Sequence, residues 1–441
     1  MSHATELRRR LETREGKIAV VGLGYVGLPL VRAMHDAGFG VIGYDCDEEK
    51  IRMLSEGQAY LQHLGEDLVR DLAASDRFRA TAVAEDLKDA DVILLCVPSP
   101  LGRHNEPDMS YIVESTRMVA DVLQPGQLVC LESTTYPGTT RGDCQPILEE
   151  SGLECGKDFF LAFSPEREDP GRADFGTSTI PKLVGGVDEV STDLAMQLYT
   201  AAITKVVAVS TAEVAEAAKL LENIYRAVNI ALVNELKPVL TAMEIDIWEV
   251  VDAAGTKPFG FQPFYPGPGL GGHCIPIDPF YLTWKAREFG HHTRFIELAG
   301  EINSAMPRYV VTRVGEGLNN VGKAIQGASI LVCGIAYKPN IDDVRETPAA
   351  EIIERLQGLG AVVRYHDPHV PHLSGMRKHL GLSIDSVELT SECVEMADCV
   401  LIVTDHDEID WQLIADSASL IVDTRNAMAR CSSVRGTVLK A

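Results

Sequence analysis

None of the ten cysteines stands in a CxxC pair, so neither a zinc ribbon nor a disulfide framework is indicated. The thiols read as reduced, in the manner of a cytosolic protein. Long apolar runs are missing too: none reaches the roughly 18 residues that a membrane helix needs. The N-terminus lacks the apolar core of a signal peptide. Cytoplasm is the expected location, without a membrane partner. Positive charge is scarce: 40 Lys and Arg face 64 Asp and Glu, a formal net charge of -24. Repulsion from phosphate then argues against a nucleic acid or an anionic membrane as partner. An anionic ligand would need a local basic patch. No low-complexity tract and no exact repeat is present, and no residue cluster has metal-ligand spacing, His291-His292 reading as a solvated pair. No metal is expected.

What is there describes a soluble globular chain, 46% hydrophobic and 24% charged. Its 441 residues exceed one ordinary core, so two or three domains are expected. Strand-like runs at Lys17 to Gly24, Val41 to Asp45, Asp91 to Val97, Leu128 to Glu132 and Phe159 to Phe163 alternate with helical patterns. That alternation implies a doubly wound parallel sheet. From Thr211 to about Ala254 the pattern becomes one long helix, with Pro238 expected to kink or break it. Strand-like runs return at Ser329 to Ile335, Ala361 to Tyr365, Cys399 to Val403 and Leu420 to Asp423. The expected fold is α/β: two Rossmann-like domains, 1–208 and 321–441, joined by a helical segment, 209–320. Val214, Ala217, Leu221, Tyr225, Val228 and Leu232 recur at three- and four-residue spacing on that segment. Together with its other apolar positions they exceed what one face of a surface helix needs, so a homodimer or higher homo-oligomer is expected.

Gly22-Leu23-Gly24-Tyr25-Val26-Gly27 fits GxGxxG, follows a strand and opens a helix starting near Tyr25. Such a loop lets a pyrophosphate approach the backbone at a helix N-terminus. Asp45 ends the second strand at the distance where a carboxylate accepts ribose hydroxyls. No arginine adjoins it to receive a 2′-phosphate, so NAD is expected over NADP. The second α/β region has Gly334 alone after its strand and is expected to bind something other than a second dinucleotide.

Gly269-Leu270-Gly271-Gly272-His273-Cys274-Ile275-Pro276-Ile277-Asp278 puts one cysteine behind a flexible loop, with a carboxylate four residues on. An accessible thiolate there would be a nucleophile; a buried structural cysteine is the plainer alternative. Lys219 and Asn223 share a helix face and could hold a developing oxyanion, or simply line a solvated surface. Phe163-Ser164-Pro165-Glu166-Arg167 places Glu166 on a constrained turn after a strand, and Thr134-Thr135-Tyr136-Pro137-Gly138 follows another strand end. These read equally as an exposed charged loop and as helix-capping hydroxyls.

Together with Tyr337-Lys338-Pro339-Asn340 and Val344-Arg345-Glu346-Thr347-Pro348, these segments resemble the UDP-glucose/GDP-mannose dehydrogenase family, in the family's order from Lys17 to about Asn426. The resemblance implies an N-terminal Rossmann domain, a central dimerisation domain and a C-terminal Rossmann-like domain that helps hold a nucleotide sugar. It casts Cys274 as nucleophile with Asp278 beside it, Lys219 and Asn223 on the oxygen at C6, Glu166 in thioester hydrolysis and Thr135 on a catalytic water. Gly22, Gly24, Tyr25, Val26, Gly27, Asp45, Lys50, Pro98, Ser99, Thr135 and Arg345 become cofactor positions. Glu166, Arg167, Lys219, Asn223, Phe264, Tyr265, Gly267, Gly271 and Lys338 become sugar-nucleotide positions. Ser99 stands where the family usually has threonine, which keeps the hydroxyl.

The implied reaction oxidises the C6 alcohol of a UDP-sugar to a carboxylate by two hydride transfers to NAD, through a Cys274 thiohemiacetal and thioester. His273 before the cysteine and Ile277 before the aspartate resemble the UDP-N-acetylglucosamine branch, in which the product feeds polysaccharide synthesis. UDP-glucose, UDP-N-acetylgalactosamine and UDP-N-acetylmannosamine remain alternatives. A two-electron dehydrogenase of the 3-hydroxyacid type and a cysteine redox sensor are more remote; neither needs both the GGHC loop and a second α/β domain.

Overall fold

The structure is a computed structural model and describes residues 2–61, 66–102, 104–167, 178–272, 275–374, 376 and 378–441. It divides into two compact units, Met1–Glu222 with Phe280–His291 and Asn223–Pro279 with His292–Ala441.

In the first unit the apolar runs become β1 (Lys17–Val21), β2 (Gly40–Tyr44), β3 (Phe78–Thr81), β4 (Val92–Leu95), β5 (Leu128–Leu131), β6 (Phe160–Phe163), β7 (Lys182–Gly186) and β8 (Val206–Ala208). They form one sheet in the order β3-β2-β1-β4-β5-β6-β7-β8, the doubly wound order over its first six strands. Every pairing is parallel except β6 with β7. Both faces are covered, as parallel sheets require: Ile18 and Val20 of β1 join one apolar core while Ala19 and Val21 join the other. The strand order reverses at β1 and β4, so the loops following them open at the switch point where such sheets bind ligands.

The second unit holds β9 (Ser329–Cys333), β10 (Val362–His366), the short pair β11 (His372–Leu373) and β12 (Ile384–Asp385), β13 (Cys399–Ile402), β14 (Leu420–Asp423) and β15 (Thr437–Lys440). Its main sheet is parallel, in the order β10-β9-β13-β14-β15. Ile330 and Val332 face one core, Leu331 and Cys333 the other. Helix Arg294–Asn320, which no local motif announces, buries Met306, Val310, Val314 and Leu318 along one face.

Two expectations need correction. Helix Ala212–Ala242 continues past Pro238 as one element, so the proline does not break it. The break comes at 243–246, where Glu244 takes φ 59 and Asp246 caps the next helix, Ile247–Gly255, by accepting from Trp248 N. One proline removes one ladder hydrogen bond, whereas a left-handed residue followed by an N-cap redirects the backbone. The helix after β1 starts at Gly27 rather than Tyr25, because the glycine turn occupies the residues between.

Candidate active site

The turn after β1 is built by close packing. Gly22 sits at φ +92, and a Cβ there would meet the Cys96 carbonyl at 2.6 Å; one on Gly27 would lie 1.8 Å from the Gly22 carbonyl. Only glycine allows both. Gly24, by contrast, has open space within 4 Å, which leaves its backbone approachable. At the end of β2, Asp45 is buried and accepts from Leu23 N at 2.9 Å, Asp47 N at 3.0 Å and Lys50 Nζ at 3.2 Å. A carboxylate has about four lone-pair sites, so one remains for a hydroxyl. Tyr25 and Val26 complete the turn; Pro98 and Ser99 follow β4, on the other side of the switch point. These residues fit a dinucleotide.

The segments after β5 and β6 carry the next group. Thr135 is buried, its Oγ1 2.5 Å from Thr139 Oγ1. Its loop is tied down by Glu216, which accepts from Gly138 N at 2.6 Å, Thr140 N at 2.9 Å and Thr140 Oγ1 at 2.7 Å. Burial pushes the Glu216 carboxyl up despite these donors. One turn along the same helix, Lys219 Nζ donates to the Glu166 carbonyl at 2.5 Å. Glu166 Oε1 accepts from Arg167 N at 2.6 Å, and Arg167 pairs with Glu222 at 2.6 Å. Lys219 is only 7% exposed, so the solvated-surface alternative fails for it.

Within the second unit, Asn223 (5% exposed) donates to Asp278 (1% exposed) at 2.5 Å. Phe264 packs edge-on to Tyr225 at 5.7 Å, Tyr265 donates to Asp252 at 2.6 Å, and Gly267 N donates to Asn234 Oδ1 at 2.9 Å. A Cβ on Gly271 would lie 2.4 Å from Tyr337 Cβ, and Gly272 N donates to the Arg345 carbonyl at 3.1 Å. The glycine loop thus packs against the segment after β9, which also carries Lys338. The Arg345 side chain pairs with Asp343 at 2.6 Å. His273 and Cys274 lie outside the described residues.

The chain matches the NAD binding domain of the UDP-glucose/GDP-mannose dehydrogenase family over residues 16–203, its central domain over 213–305 and its UDP binding domain over 331–430. It belongs to that family. NAD is its cofactor and a UDP-sugar its substrate class. It is 40% identical to Protein CapL of Staphylococcus aureus, over 88% of this chain and 89% of that one. It is 37% identical to a UDP-N-acetyl-D-glucosamine 6-dehydrogenase of Pseudomonas aeruginosa, over 82% and 85%. A solved UDP-N-acetylmannosamine dehydrogenase of Pyrococcus horikoshii superposes with a TM-score of 0.85 at 33% identity, over 96% of this chain and 98% of that one.

Several buried polar residues of this dehydrogenase escape sequence reading. Asp367, ending β10 as Asp45 ends β2, accepts from Ile335 N, Ala336 N, His369 N, Val370 N and His406 Nε2 at 2.6–3.1 Å. Both its oxygens are occupied, so it has no place for ribose, in keeping with a second domain that takes a different ligand. Glu132 and Lys182 form a buried ion pair, with Tyr199 donating to Glu132 and Lys182 also donating to the Pro165 carbonyl, next to Glu166 in the chain. Burial works against the Lys182 ammonium, but the facing Glu132 carboxylate outweighs it and holds Lys182 above the usual lysine range. A solitary lysine opening a strand carries no sequence signal that it will be buried and paired.

Among the described residues no group of three or more His, Cys, Asp or Glu could hold a metal ion, and no helix is long and apolar enough to cross a membrane.

Proposed function

We propose that this protein is a UDP-N-acetylhexosamine 6-dehydrogenase, acting on UDP-N-acetylglucosamine. The observation that carries the sugar assignment is the 265–285 segment, with His273 before the cysteine and Ile277 before the aspartate. Relatives named for UDP-N-acetylglucosamine and for UDP-N-acetylmannosamine both support an N-acetylated sugar. The proposed setting is cytoplasmic synthesis of a surface polysaccharide by a homodimer of three-domain chains divided near 208 and 320.

Each turnover converts a primary alcohol, water and two NAD into a carboxylate, two NADH and three protons. NAD bound at the loop after β1 supplies the hydride acceptor. Cys274 adds as thiolate to the intermediate aldehyde, giving a thiohemiacetal that loses the second hydride to become a thioester. Lys219 and Asn223 hold the oxygen on C6 while it carries negative charge. Lys219, Thr135 and Asp278, the last hydrogen-bonded to Asn223, hold the water that takes the alcohol proton. Glu166 activates the water that cleaves the thioester.

Incubation with NAD and UDP-N-acetylglucosamine, UDP-N-acetylmannosamine, UDP-N-acetylgalactosamine or UDP-glucose, read as NADH absorbance, tests the assignment. Two NADH per sugar are expected, with UDP-N-acetylglucosamine fastest; faster turnover of UDP-glucose overturns the sugar. Glu166→Gln should give an NADH burst and a covalent adduct on Cys274 by intact-mass spectrometry, and Cys274→Ala should abolish that adduct. Normal turnover of Glu166→Gln without adduct would remove Glu166 from the mechanism.

A further inference from the structure

We propose that Lys182 is a positioning residue for the hydrolytic step, holding the backbone that presents Glu166; this rests on the reading of Glu166 as the carboxylate that activates water. Two consecutive carbonyls in this segment each receive an ammonium. Lys182 Nζ donates to the Pro165 carbonyl at 3.3 Å, and Lys219 Nζ donates to the Glu166 carbonyl at 2.5 Å. The topology accounts for the first contact. β6 and β7 pair antiparallel, with Phe163 opposite Gly185, so the chain leaving β6 runs beside the residues that open β7. Ser164 Oγ, which donates to the Leu183 carbonyl at 2.8 Å, marks the same alignment.

Lys182 is itself held. Its ammonium pairs with Glu132 at 2.6 Å, and the side chains of the pair are 6% and 0% exposed. The second Glu132 oxygen accepts from Tyr199 O–H, and the Lys182 ammonium lies 5.0 Å from the Tyr199 ring centroid. Glu132 follows β5, Pro165 follows β6 and Lys182 opens β7, so three neighbouring strands converge at the sheet edge where such folds place ligands. A buried ion pair is a costly way to join strands, and apolar residues of similar volume generally serve stability as well or better. What apolar residues cannot supply is a cation with an N–H left over for the Pro165 carbonyl.

Lys182→Met alone would strand the Glu132 carboxylate in the core and threaten folding. The test therefore uses Lys182→Met/Glu132→Gln, which removes both charges at similar volume, beside Glu166→Gln and the parent chain. Each is mixed with NAD and UDP-N-acetylglucosamine, with thermal unfolding followed in parallel. The double variant should keep a parent-like melting temperature and show an NADH burst, since both hydride transfers survive. Its kcat should fall about 10- to 100-fold, as expected of a displaced reacting group, with an adduct accumulating on Cys274. The Arg167 amide, which donates to Glu166 Oε1 at 2.6 Å, should exchange hydrogen faster. A double variant with parent kcat and parent exchange at Arg167 overturns the proposal, even where Glu166→Gln accumulates adduct and so upholds the reading of Glu166. Absence of adduct from Glu166→Gln overturns that reading, and the hydrolytic role of Lys182 with it.

Discussion

Lys237 shows what a single side chain does when burial outruns its partners. It is fully buried on the long helix, its Nζ has no hydrogen-bond partner among the described residues, and it lies 4.5 Å from the Trp248 ring centroid. Burial lowers its pKa to about 7, against an unfolded value of about 10.4. Between those values the unfolded chain binds a proton that the folded chain does not, so folding stability rises with pH across that window. Below pH 7 the cost of burying the amine is complete. Lys237→Met should therefore stabilise the protein by about 1–4 kcal/mol at pH 6, with the gain shrinking toward pH 10. Denaturant melts at the two pH values check this; a gain independent of pH would show that Lys237 is not the titrating group. No periodicity in the sequence marks this lysine, because its position among Val233, Leu240 and Trp248 depends on helix 247–255 packing back.

At the scale of elements, glycine placement is the informative feature. The loop after β1 was legible because its signature is local: a strand, three glycines at fixed spacing, and a carboxylate at the next strand's end. Gly271 looked like one flexible residue among several, and its reason is tertiary, the contact with Tyr337 some 66 positions away. Gly271→Ala should displace the glycine loop and raise KM for the nucleotide sugar about 10-fold, with a smaller effect on NAD affinity, for which most of the expected contacts lie on the loops after β1, β2 and β4. Steady-state kinetics and NAD titration separate the two; equal loss of both would place the loop's role elsewhere. Pro238 teaches the reverse lesson, since a strong local signal did not end the helix and the weaker Glu244 to Asp246 turn did.

For the molecule as a whole, the apolar stripe of helix 212–242 is exposed in the single chain. Leu221 is 65% exposed, and Val214, Tyr225, Leu232, Leu236 and Val239 share the condition. So continuous an apolar surface suits a two-fold partner. The parent chain should measure as a dimer by light scattering at micromolar concentration, and Leu232→Asp should shift it toward monomer with little change in the thermal stability of the isolated fold. A parent chain that is strictly monomeric would contradict this.

The sequence by itself determined the parts that are contiguous: parallel strands as apolar runs, the dinucleotide turn, and the residue set by which the family can be recognised. Their physics is local, resting on strand periodicity, glycine geometry and capping. Only the tertiary structure decided which charges are buried and what they hold. Lys182 beside Pro165, Glu216 under the Thr135 loop and Asp367 saturated by five donors all join residues distant in sequence. A buried polar group is defined by partners brought to it by strand order and packing, and no spacing along the chain encodes that order.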